Sequence, residues 1–196
     1  AEYAQTRHNA GFWFVDELAR AGGASLRHES KFHGMVAKVR LEGREIWLLQ
    51  PQTFMNLSGQ SVQPLLAWHK LRPSDLVVAH DELDIPAGEM RFKLGGGNAG
   101  HNGLKSITEL LGTPDFYRLR LGIGRPPHKG DVTNWVLGRA QGDDAEQMLQ
   151  AVPAALDTLF AFADKGLEGA LRAARKTAQP RKKPAPEAAQ APDRAE

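Results

Sequence analysis

The 196-residue chain contains no cysteine, which excludes disulfides, thiolate nucleophiles and cysteine-ligated zinc sites. It has no apolar run long enough to span a membrane and no segment that resembles a signal peptide. A reducing compartment fits this composition, so we expect a cytoplasmic protein without a membrane partner. The chain also lacks an initiator methionine: it begins Ala1-Glu2-Tyr3, as a fragment or a processed chain does.

Charge is unevenly distributed along the chain, although the formal net charge is only +2. Residues 91–129 hold seven Lys or Arg against two acidic residues, whereas residues 131–170 are rich in acidic groups. A local basic patch on a slightly acidic body indicates a polyanionic partner, such as a nucleic acid, bound at one place. Clustering of charge on solvated faces explains the same pattern equally well.

Strand and helix patterns are mixed along the whole chain, which predicts an α/β fold. We expect one catalytic domain over residues 1–176, with a twisted mixed, mostly parallel sheet flanked by helices. A basic, Pro- and Ala-rich disordered tail is predicted over residues 177–196. Helices are predicted at 10–22, 58–71, 101–112, 143–165 and 166–176. Strands are predicted at 35–41, 44–50, 75–84, 90–94 and 117–124. The Glu42-Gly43 turn between the first two predicts a hairpin.

His8 and Asp81 are the first candidates for chemistry. His8 stands among polar residues at the entrance of a helix, and Asp81 stands where an apolar strand ends. Ligand sites gather at the carboxyl ends of strands in open α/β sheets. A carboxylate there can accept a hydrogen bond from an imidazole Nδ1–H and leave Nε2 free as a base. The simpler alternative is that Asp81 caps the next turn and His8 caps its own helix.

Two further segments place polar groups between a strand and a helix. In TFMNLSG, Asn56 can donate its amide to an oxyanion, although helix capping is the commoner role. In KLGGGNAGHNGLKSI the glycines match G-x-G-x-x-G, but Arg120 stands where an acidic residue is expected about twenty positions later, which disfavours a dinucleotide site. A glycine loop before a helix still suits a phosphate or a carbonyl group.

Two other catalytic schemes are disfavoured by the spacing of the residues. Ser58 in NLSGQS does not match the G-x-S-x-G nucleophile elbow of serine hydrolases. A metal site made of His8, Asp81 and His101 is an alternative, but these residues lack the close i, i+4 spacing of many metal ligands. A His–Asp pair that activates water, without a metal or a cofactor, is the favoured scheme.

The strand that contains Tyr117 to Gly124 also carries charge on one face. Arg118 and Arg120 alternate with leucines, which predicts a half-exposed strand with a basic outer face.

Several segments, in order and with matching spacing, resemble the bacterial-type peptidyl-tRNA hydrolase family. They are TRHNAGFWFVDELA, PQTFMNLSGQSV, LVVAHDELDIPAGEMRFKLGGGNAGHNGLKSI and FYRLRLGIGRP, and they cover most of residues 3–138. The resemblance implies a phosphorylase/hydrolase-like α/β fold and an enzyme that cleaves the ester joining a peptide to the 3′ ribose of tRNA. It implies a monomer that binds the acceptor arm and 3′ end of peptidyl-tRNA and recycles tRNA from stalled translation.

The resemblance also implies roles for individual residues. His8 would be the general base that activates water, and Asp81 would orient and support it. The residues expected to bind the peptidyl-tRNA substrate are Tyr3, Phe54, Asn56 and Asn102. The residues expected to form the wall of the cleft are Met55 and His101. The basic patch would contact tRNA phosphates through Lys93, Lys105, Arg120 and Arg125.

The chain departs from the family at its N-terminus. The family begins with an apolar strand and a Gly-Leu-x-Asn-Pro-Gly loop ahead of the tyrosine that Tyr3 matches, and this segment is absent here. A chain that truly begins at Ala1 would have one strand fewer and an exposed sheet edge. Two alternatives therefore stay open: a non-catalytic tRNA-binding relative inactivated by truncation, and a nucleotide-binding enzyme built on the glycine loop.

Overall fold

The computed structural model describes residues 6–126, 128–138 and 143–177. The strands within these residues are β1 (Arg27–Glu29), β2 (Gly34–Leu41), β3 (Arg44–Pro51), β4 (Val77–Glu82), β5 (Met90–Leu94) and β6 (Tyr117–Gly122). The α-helices are α1 (Ala10–Ala21), α2 (Gly59–Trp68), α3 (Asn102–Leu111), α4 (Val132–Leu137) and α5 (Asp143–Thr177). The elements predicted from the sequence patterns are thus present in the predicted order. Beyond Thr177, the predicted tail lies outside the described residues.

The first sheet has the strand order β1-β2-β3 and is antiparallel throughout. β2 and β3 form the predicted hairpin, joined by Glu42 and Gly43, whose φ angles are 47° and 76°. Two consecutive positive φ angles are the geometry of a type I′ turn, whose twist matches that of the flanking strands. A short turn of this kind therefore sets the register of the hairpin.

The second sheet has the strand order β4-β6-β5 and is mixed. β4 runs parallel to β6, with Asp81 opposite Leu121, and β5 runs antiparallel to β6. Of the four strand pairings in the described residues, only the pairing of β4 with β6 is parallel. The mixed α/β fold is therefore confirmed, but the prediction of mostly parallel pairing is wrong. The strands β1, β2 and β3 follow one another through short connections, which pair strands antiparallel. β5 also pairs antiparallel with β6, although the glycine loop and α3 lie between them.

The main hydrophobic core lies between the sheets and the helices α1 and α5. Its fully enclosed side chains include Leu18 of α1, Leu119 of β6 and Ala155 of α5. A second cluster joins α2 to α3, with Phe116 completely buried at its base. α1 and α3 each present one apolar stripe to the sheets and leave their polar faces in water, as the sequence pattern predicts.

Two details of the helices differ from the sequence pattern or refine it. α2 begins after Ser58, but Ser58 makes no capping bond with its side chain; its hydroxyl instead donates to the Met55 carbonyl at 2.8 Å. The two predicted C-terminal helices are helical segments of α5 that meet at Gly166, where φ is 65° and ψ is −158°. This backbone conformation is accessible to glycine and costly for other residues.

An apolar cavity of about 690 Å³ lies beside β3 and β4, the end strands of the two sheets. Its apolar walls include Phe14, Leu18, Leu48, Val78, Leu159 and Phe162. The cavity reaches His8 and Asp81 from the side of the sheets. No helix in the described part of the chain is long and apolar enough to cross a membrane.

Candidate active site

A cleft of about 960 Å³ brings together most of the predicted site residues. Its walls come from the turns before α1 and α2, the end of β4, the glycine loop after β5 and the start of α3. The predicted residues that line it are His8, Phe54, Met55, Asn56, Asp81, Lys93, His101, Asn102, Lys105 and Arg120. Arg125 does not line this cleft, and Tyr3 lies outside the described residues.

His8 is positioned by the packing of the turn that contains it. This 3-10 turn, Arg7–Asn9, leads directly into α1. The Arg7 guanidinium lies 3.9 Å from the centre of the Trp135 ring and donates to the Trp135 carbonyl at 3.3 Å. Gly11, in the first turn of α1, lets the helix touch the β4 backbone, because a Cβ there would collide with the Ala79 carbonyl. The helix entrance is therefore held against the strand that carries Asp81.

Asp81 accepts hydrogen bonds from two imidazoles on the same oxygen. Its Oδ1 lies 2.7 Å from Nδ1 of His8 and 3.1 Å from Nε2 of His101. Asp81 is only 5% exposed, and burial on its own raises the pKa of its carboxyl group. The hydrogen bonds from His101 and His8 outweigh burial and hold the pKa of Asp81 well below its ordinary value. Asp81 is therefore an ionised acceptor at neutral pH.

The hydrogen bonds also assign the proton on each imidazole. Nδ1 of His101 accepts from the backbone N–H groups of Gly103 (3.1 Å) and Leu104 (3.3 Å), so Nε2 carries the proton that points at Asp81. His8 gives its Nδ1–H to the same carboxylate, which leaves Nε2 of His8 as a lone pair in the cleft. This is the arrangement of a general base held in one tautomer by a carboxylate. The alternative that His8 caps α1 is wrong, because the N-cap residue is Asn9.

The same three side chains also meet the distance criterion for a metal site. The ligand atoms of His8, Asp81 and His101 lie within 4.8 Å of one another. A metal would need a lone pair on Nε2 of His101, and that nitrogen holds its proton because Nδ1 is occupied by two backbone N–H donors. The protonation pattern therefore favours a hydrogen-bonded trio over metal coordination.

Amide side chains line the cleft next to the imidazoles. Asn56 lies in the 3-10 turn Met55–Leu57, and Asn102 is the first residue of α3. Both residues are exposed, and neither side chain hydrogen-bonds within the described part of the chain. Phe54 is 81% exposed at the rim. The cleft thus offers two free amide donors and an aromatic surface to a ligand.

The cations of the cleft differ in whether a carboxylate lies close to them. Arg120 is paired with Glu82 at 2.8 Å, and Lys105 lies 3.9 Å from Glu109. Lys93 is partly buried, and burial first, followed by repulsion from Arg120 and Arg118, lowers the pKa of its ammonium group. This repulsion indicates a local excess of positive charge that an anionic ligand would relieve.

Arg125 lies apart from these cations. Its Nε donates to Asp84 at 2.6 Å, in an exposed ion pair outside the cleft. The structure therefore brings three of the four predicted phosphate contacts together and separates Arg125 from them.

Arg118 corrects the predicted basic face of β6. It is 1% exposed, whereas the alternating pattern predicts an exposed side chain. Its guanidinium donates to the carbonyls of Gly97 (2.6 Å) and Gly96 (2.7 Å), so the glycine loop covers it. The alternating pattern correctly placed Arg118 on the face of β6 opposite the leucines. The glycine loop covers that face, so the side chain is buried. Arg118 thus shapes the loop between β5 and α3.

The structure also decides against the dinucleotide interpretation of the glycine loop. That fingerprint belongs to a βαβ unit, in which the strand before the loop lies parallel to the strand after the helix. Here β5 precedes the loop and runs antiparallel to β6, which follows α3. The loop accordingly forms a wall of the cleft, with Gly97 and Gly100 among its lining residues.

Sequence reasoning missed His80 and Glu82, which flank Asp81 on β4, and assigned Arg118 to the wrong environment. His80 and Glu82 are buried, and His80 contacts the ring of His101. The signal for them was available in the run VVAHDELD, where three polar residues continue a buried strand instead of ending it. Buried polar groups at a strand end indicate a functional site.

The fold and the site together define a class of protein. An imidazole that is held by a buried carboxylate in an open cleft of an α/β domain is the arrangement with which hydrolases activate water.

Comparisons with known proteins identify the family within that class. A family model described as peptidyl-tRNA hydrolase matches residues 1–183. A peptidyl-tRNA hydrolase of Desulfovibrio desulfuricans is 66% identical over 188 residues, covering 93% of this chain and 82% of the relative. One from Neisseria gonorrhoeae is 56% identical over 159 residues, covering 78% and 83%.

Solved structures agree with these relatives. A crystal structure of a peptidyl-tRNA hydrolase in complex with N-propanol superposes with a TM-score of 0.84 at 43% identity, covering 89% of this chain and 88% of the other. The Acinetobacter baumannii peptidyl-tRNA hydrolase superposes with a TM-score of 0.80 at 42% identity, covering 90% and 88%. This chain belongs to the peptidyl-tRNA hydrolase family.

Proposed function

We propose that this chain hydrolyses the ester bond between a peptide and the 3′ ribose of tRNA, with His8 as the general base. The observation that carries the proposal is the 2.7 Å hydrogen bond between Nδ1 of His8 and Asp81, because in the neutral imidazole this bond directs the Nε2 lone pair to the cleft. Membership of the peptidyl-tRNA hydrolase family supports the substrate class.

The reaction follows from this geometry in two proton transfers. Nε2 of His8 takes a proton from water, and the water oxygen bonds to the ester carbonyl carbon to form a tetrahedral oxyanion. Asp81 stabilises the imidazolium of His8 through the Nδ1–H bond. The carbon–oxygen bond to the ribose then breaks, and Nε2–H of His8 returns its proton to the departing 3′ oxygen. The products are a free peptide acid and a free tRNA.

Asn56 and Asn102 are the proposed donors to the peptide and to the oxyanion. Both amides are exposed in the cleft beside the imidazoles, where they can replace water around the developing charge. Phe54 and Met55 would contact the apolar parts of the substrate from the rim, next to His101. These groups would orient the ester, while His8 carries out the proton transfers.

The tRNA would lie along the basic side of the same cleft. Lys93, Lys105 and Arg120 line it on the side of the glycine loop, and buried Arg118 adds positive potential beneath them. These contacts would position the acceptor arm through its phosphates and carry no sequence information. Arg125 lies outside the cleft, so its proposed contact would require a more distant phosphate of the arm.

The test is cleavage of N-acetyl-aminoacyl-tRNA in EDTA by this chain and by its His8→Ala variant. We expect kcat to fall by about 10²- to 10⁴-fold in the variant, because water loses its base. Affinity for deacylated tRNA should stay within about twofold, since the basic residues are untouched. His28→Ala, at an exposed position on β1, is the matched control and should retain full activity.

Each other outcome has a clear meaning. Full activity of His8→Ala would contradict the general-base role. Salt-sensitive tRNA binding without cleavage by the unmodified chain would favour the non-catalytic tRNA-binding alternative. Saturable binding of a mononucleotide would favour a nucleotide-binding enzyme.

We further propose that residues 1–176 form one catalytic domain that acts as a monomer in the cytoplasm. The described walls of the cleft come from segments between Thr6 and Leu137, which supports a single domain. The cytoplasm is where translation generates peptidyl-tRNA. Gel filtration with light scattering measures the oligomeric state directly.

A further inference from the structure

His80 is a buried histidine that the proposed reaction does not use. It precedes Asp81 on β4 and is 5% exposed. Its Nδ1 lies 2.7 Å from the backbone carbonyl oxygen of Asp81, and that oxygen can only accept, so Nδ1 carries the proton. Nε2 of His80 is buried and has no hydrogen-bond partner among the described residues. The one donor of the His80 side chain therefore binds the backbone of Asp81, the residue whose carboxylate binds both His8 and His101.

The carbonyl that His80 binds is not used by the neighbouring strand β6. In a parallel pair, alternate residues of a strand bond to the same neighbour. The Glu82 carbonyl accepts from Ile123 N–H on the β6 side, so the Asp81 carbonyl points away from β6. The His80 Nδ1–H meets this oxygen and so supplies a hydrogen bond that β6 does not.

His80 also contacts the second imidazole of the site. Its ring centre lies 5.1 Å from that of His101, with the rings nearly perpendicular at 77°. The His8 ring lies on His101 at 5.0 Å, so His101 sits between His8 and His80. An edge-to-face contact of this kind restricts the orientation of a ring.

The charged and titratable groups that face His80 are His101, Asp81 and Arg118. Burial first, and then the proximity of His101 and Arg118, lowers the pKa of His80 to about 3. His80 is therefore neutral at the pH of the reaction, and it adds no charge beside the base.

We propose that His80 is a positioning residue that acts through its donor: its Nδ1–H holds the Asp81 peptide so that both imidazoles converge on Oδ1 of Asp81, while its ring only packs against His101. The proposal rests on the proposed function only for its kinetic consequence, the change in kcat for ester cleavage. The hydrogen-bonding consequence can be observed in the resting protein.

Two variants separate the contributions of the donor and the ring. His80→Phe keeps an aromatic ring against His101 and removes the donor. His80→Asn places an amide N–H where Nδ1 stood and removes the ring. His28→Phe, on exposed β1, is the control. For each variant, kcat and KM are measured across pH with N-acetyl-aminoacyl-tRNA, and the downfield imidazole N–H protons are recorded by NMR.

We expect His80→Phe to lower kcat about tenfold with KM within twofold, and His80→Asn to restore kcat to within about threefold. In His80→Phe the pH of half-maximal kcat on the acid side should move down, because displaced Asp81 supports the His8 imidazolium less well. The N–H signals of His8 and His101 that point at Asp81 should broaden in the Phe variant and stay sharp in the Asn variant.

Other results would overturn the proposal. One is wild-type kcat and pH dependence in His80→Phe. Another is a tenfold loss in a stably folded His80→Asn variant, which decides the matter even when the Phe variant does not fold. If the unmodified chain cleaves no ester, the proposed function fails, while unchanged imidazole signals in a folded His80→Phe variant would independently reject the role of His80.

Discussion

His101 uses its two ring nitrogens for different purposes. Nδ1 accepts the first backbone N–H groups of α3 and so caps the helix, while Nε2–H donates to Asp81. A capping interaction of this kind is ordinarily made by Ser, Thr, Asp or Asn. Because the cap fixes the tautomer, the helix itself determines that His101 presents a proton and not a lone pair to the carboxylate. The family resemblance implied that His101 would form part of the cleft wall, and the sequence pattern offered it as an alternative metal ligand; neither predicted this double role.

At the same scale, two buried residues should make the stability of the protein depend on pH. The pKa of His80 is lowered to about 3 in the folded chain. Between about pH 6.5 and pH 3, His80 is therefore protonated in the unfolded chain but not in the folded chain. His80 therefore contributes no pH dependence above pH 7, and stability falls as the pH drops below about 6.5. The pKa of Asp81 is also lowered, so its contribution is lost at still lower pH, below about 4.

We predict that the free energy of unfolding falls between pH 6.5 and pH 4.5, and falls less steeply in His80→Phe. The difference in slope should approach about 1.4 kcal/mol per pH unit, the maximum for one proton. Urea denaturation at pH 7, 6 and 5 measures it, with His28→Phe as the control. Equal slopes in the two variants would show that His80 does not resist protonation in the folded state.

At the scale of elements, the contact between α1 and β4 sets the distance from His8 to Asp81. The helix brings His8 with it, because the turn Arg7–Asn9 is continuous with α1. The contact is close because position 11 has no side chain. The two proposed catalytic groups are 73 residues apart in sequence, and the packing of one helix on one strand makes them neighbours.

Gly11→Ala should therefore damage both stability and catalysis. The added Cβ meets the backbone of Ala79, which cannot move aside as a flexible side chain does. We expect a loss of about 1–3 kcal/mol of unfolding free energy and a marked fall in kcat as α1 moves away from β4. Urea denaturation and ester cleavage measure the two effects.

The control for this substitution is Gly130→Ala, because a Cβ at position 130 meets no atom within 4 Å and the residue needs no positive φ. It should leave stability and kcat nearly unchanged. A Gly11→Ala protein with wild-type stability and activity would mean that α1 and β4 are not in the contact described.

At the scale of the whole molecule, basic residues gather on one side of the cleft that holds His8. A formal net charge of +2 conceals this, since acidic residues elsewhere offset the cluster. Lys93, Arg118 and Arg120 surround the glycine loop with Glu82 as the carboxylate nearest to them, so the local potential is positive. A polyanion would thus be drawn to the side of the cleft that leads to the base.

Lys93→Ala should weaken binding of deacylated tRNA and make it less dependent on salt. Removing one phosphate contact should reduce the slope of log K against log salt by about 0.7–0.9. Filter binding between about 50 and 200 mM salt measures the slope. Arg20→Ala removes an exposed cation at the end of α1 and should leave the slope unchanged; equal slopes in wild type and Lys93→Ala would remove Lys93 from the interface.

By itself, the sequence determined the secondary-structure elements and identified His8 and Asp81 as candidate partners in the site. Apolar periodicity located the strands and helices, the Glu42-Gly43 turn predicted the hairpin, and polar residues at a helix start and a strand end identified His8 and Asp81. These features depend on near neighbours in the chain, where the period of the pattern and the turn residues carry the information.

The tertiary structure alone decided which distant groups meet. It paired β5 antiparallel to β6, closed the glycine loop over Arg118, and turned His101 and His80 toward Asp81. Local patterns could not specify these contacts, because each depends on backbone carbonyls and N–H groups contributed by other segments. Burial gives those contacts their effect, since a buried polar group must find its partner within the protein.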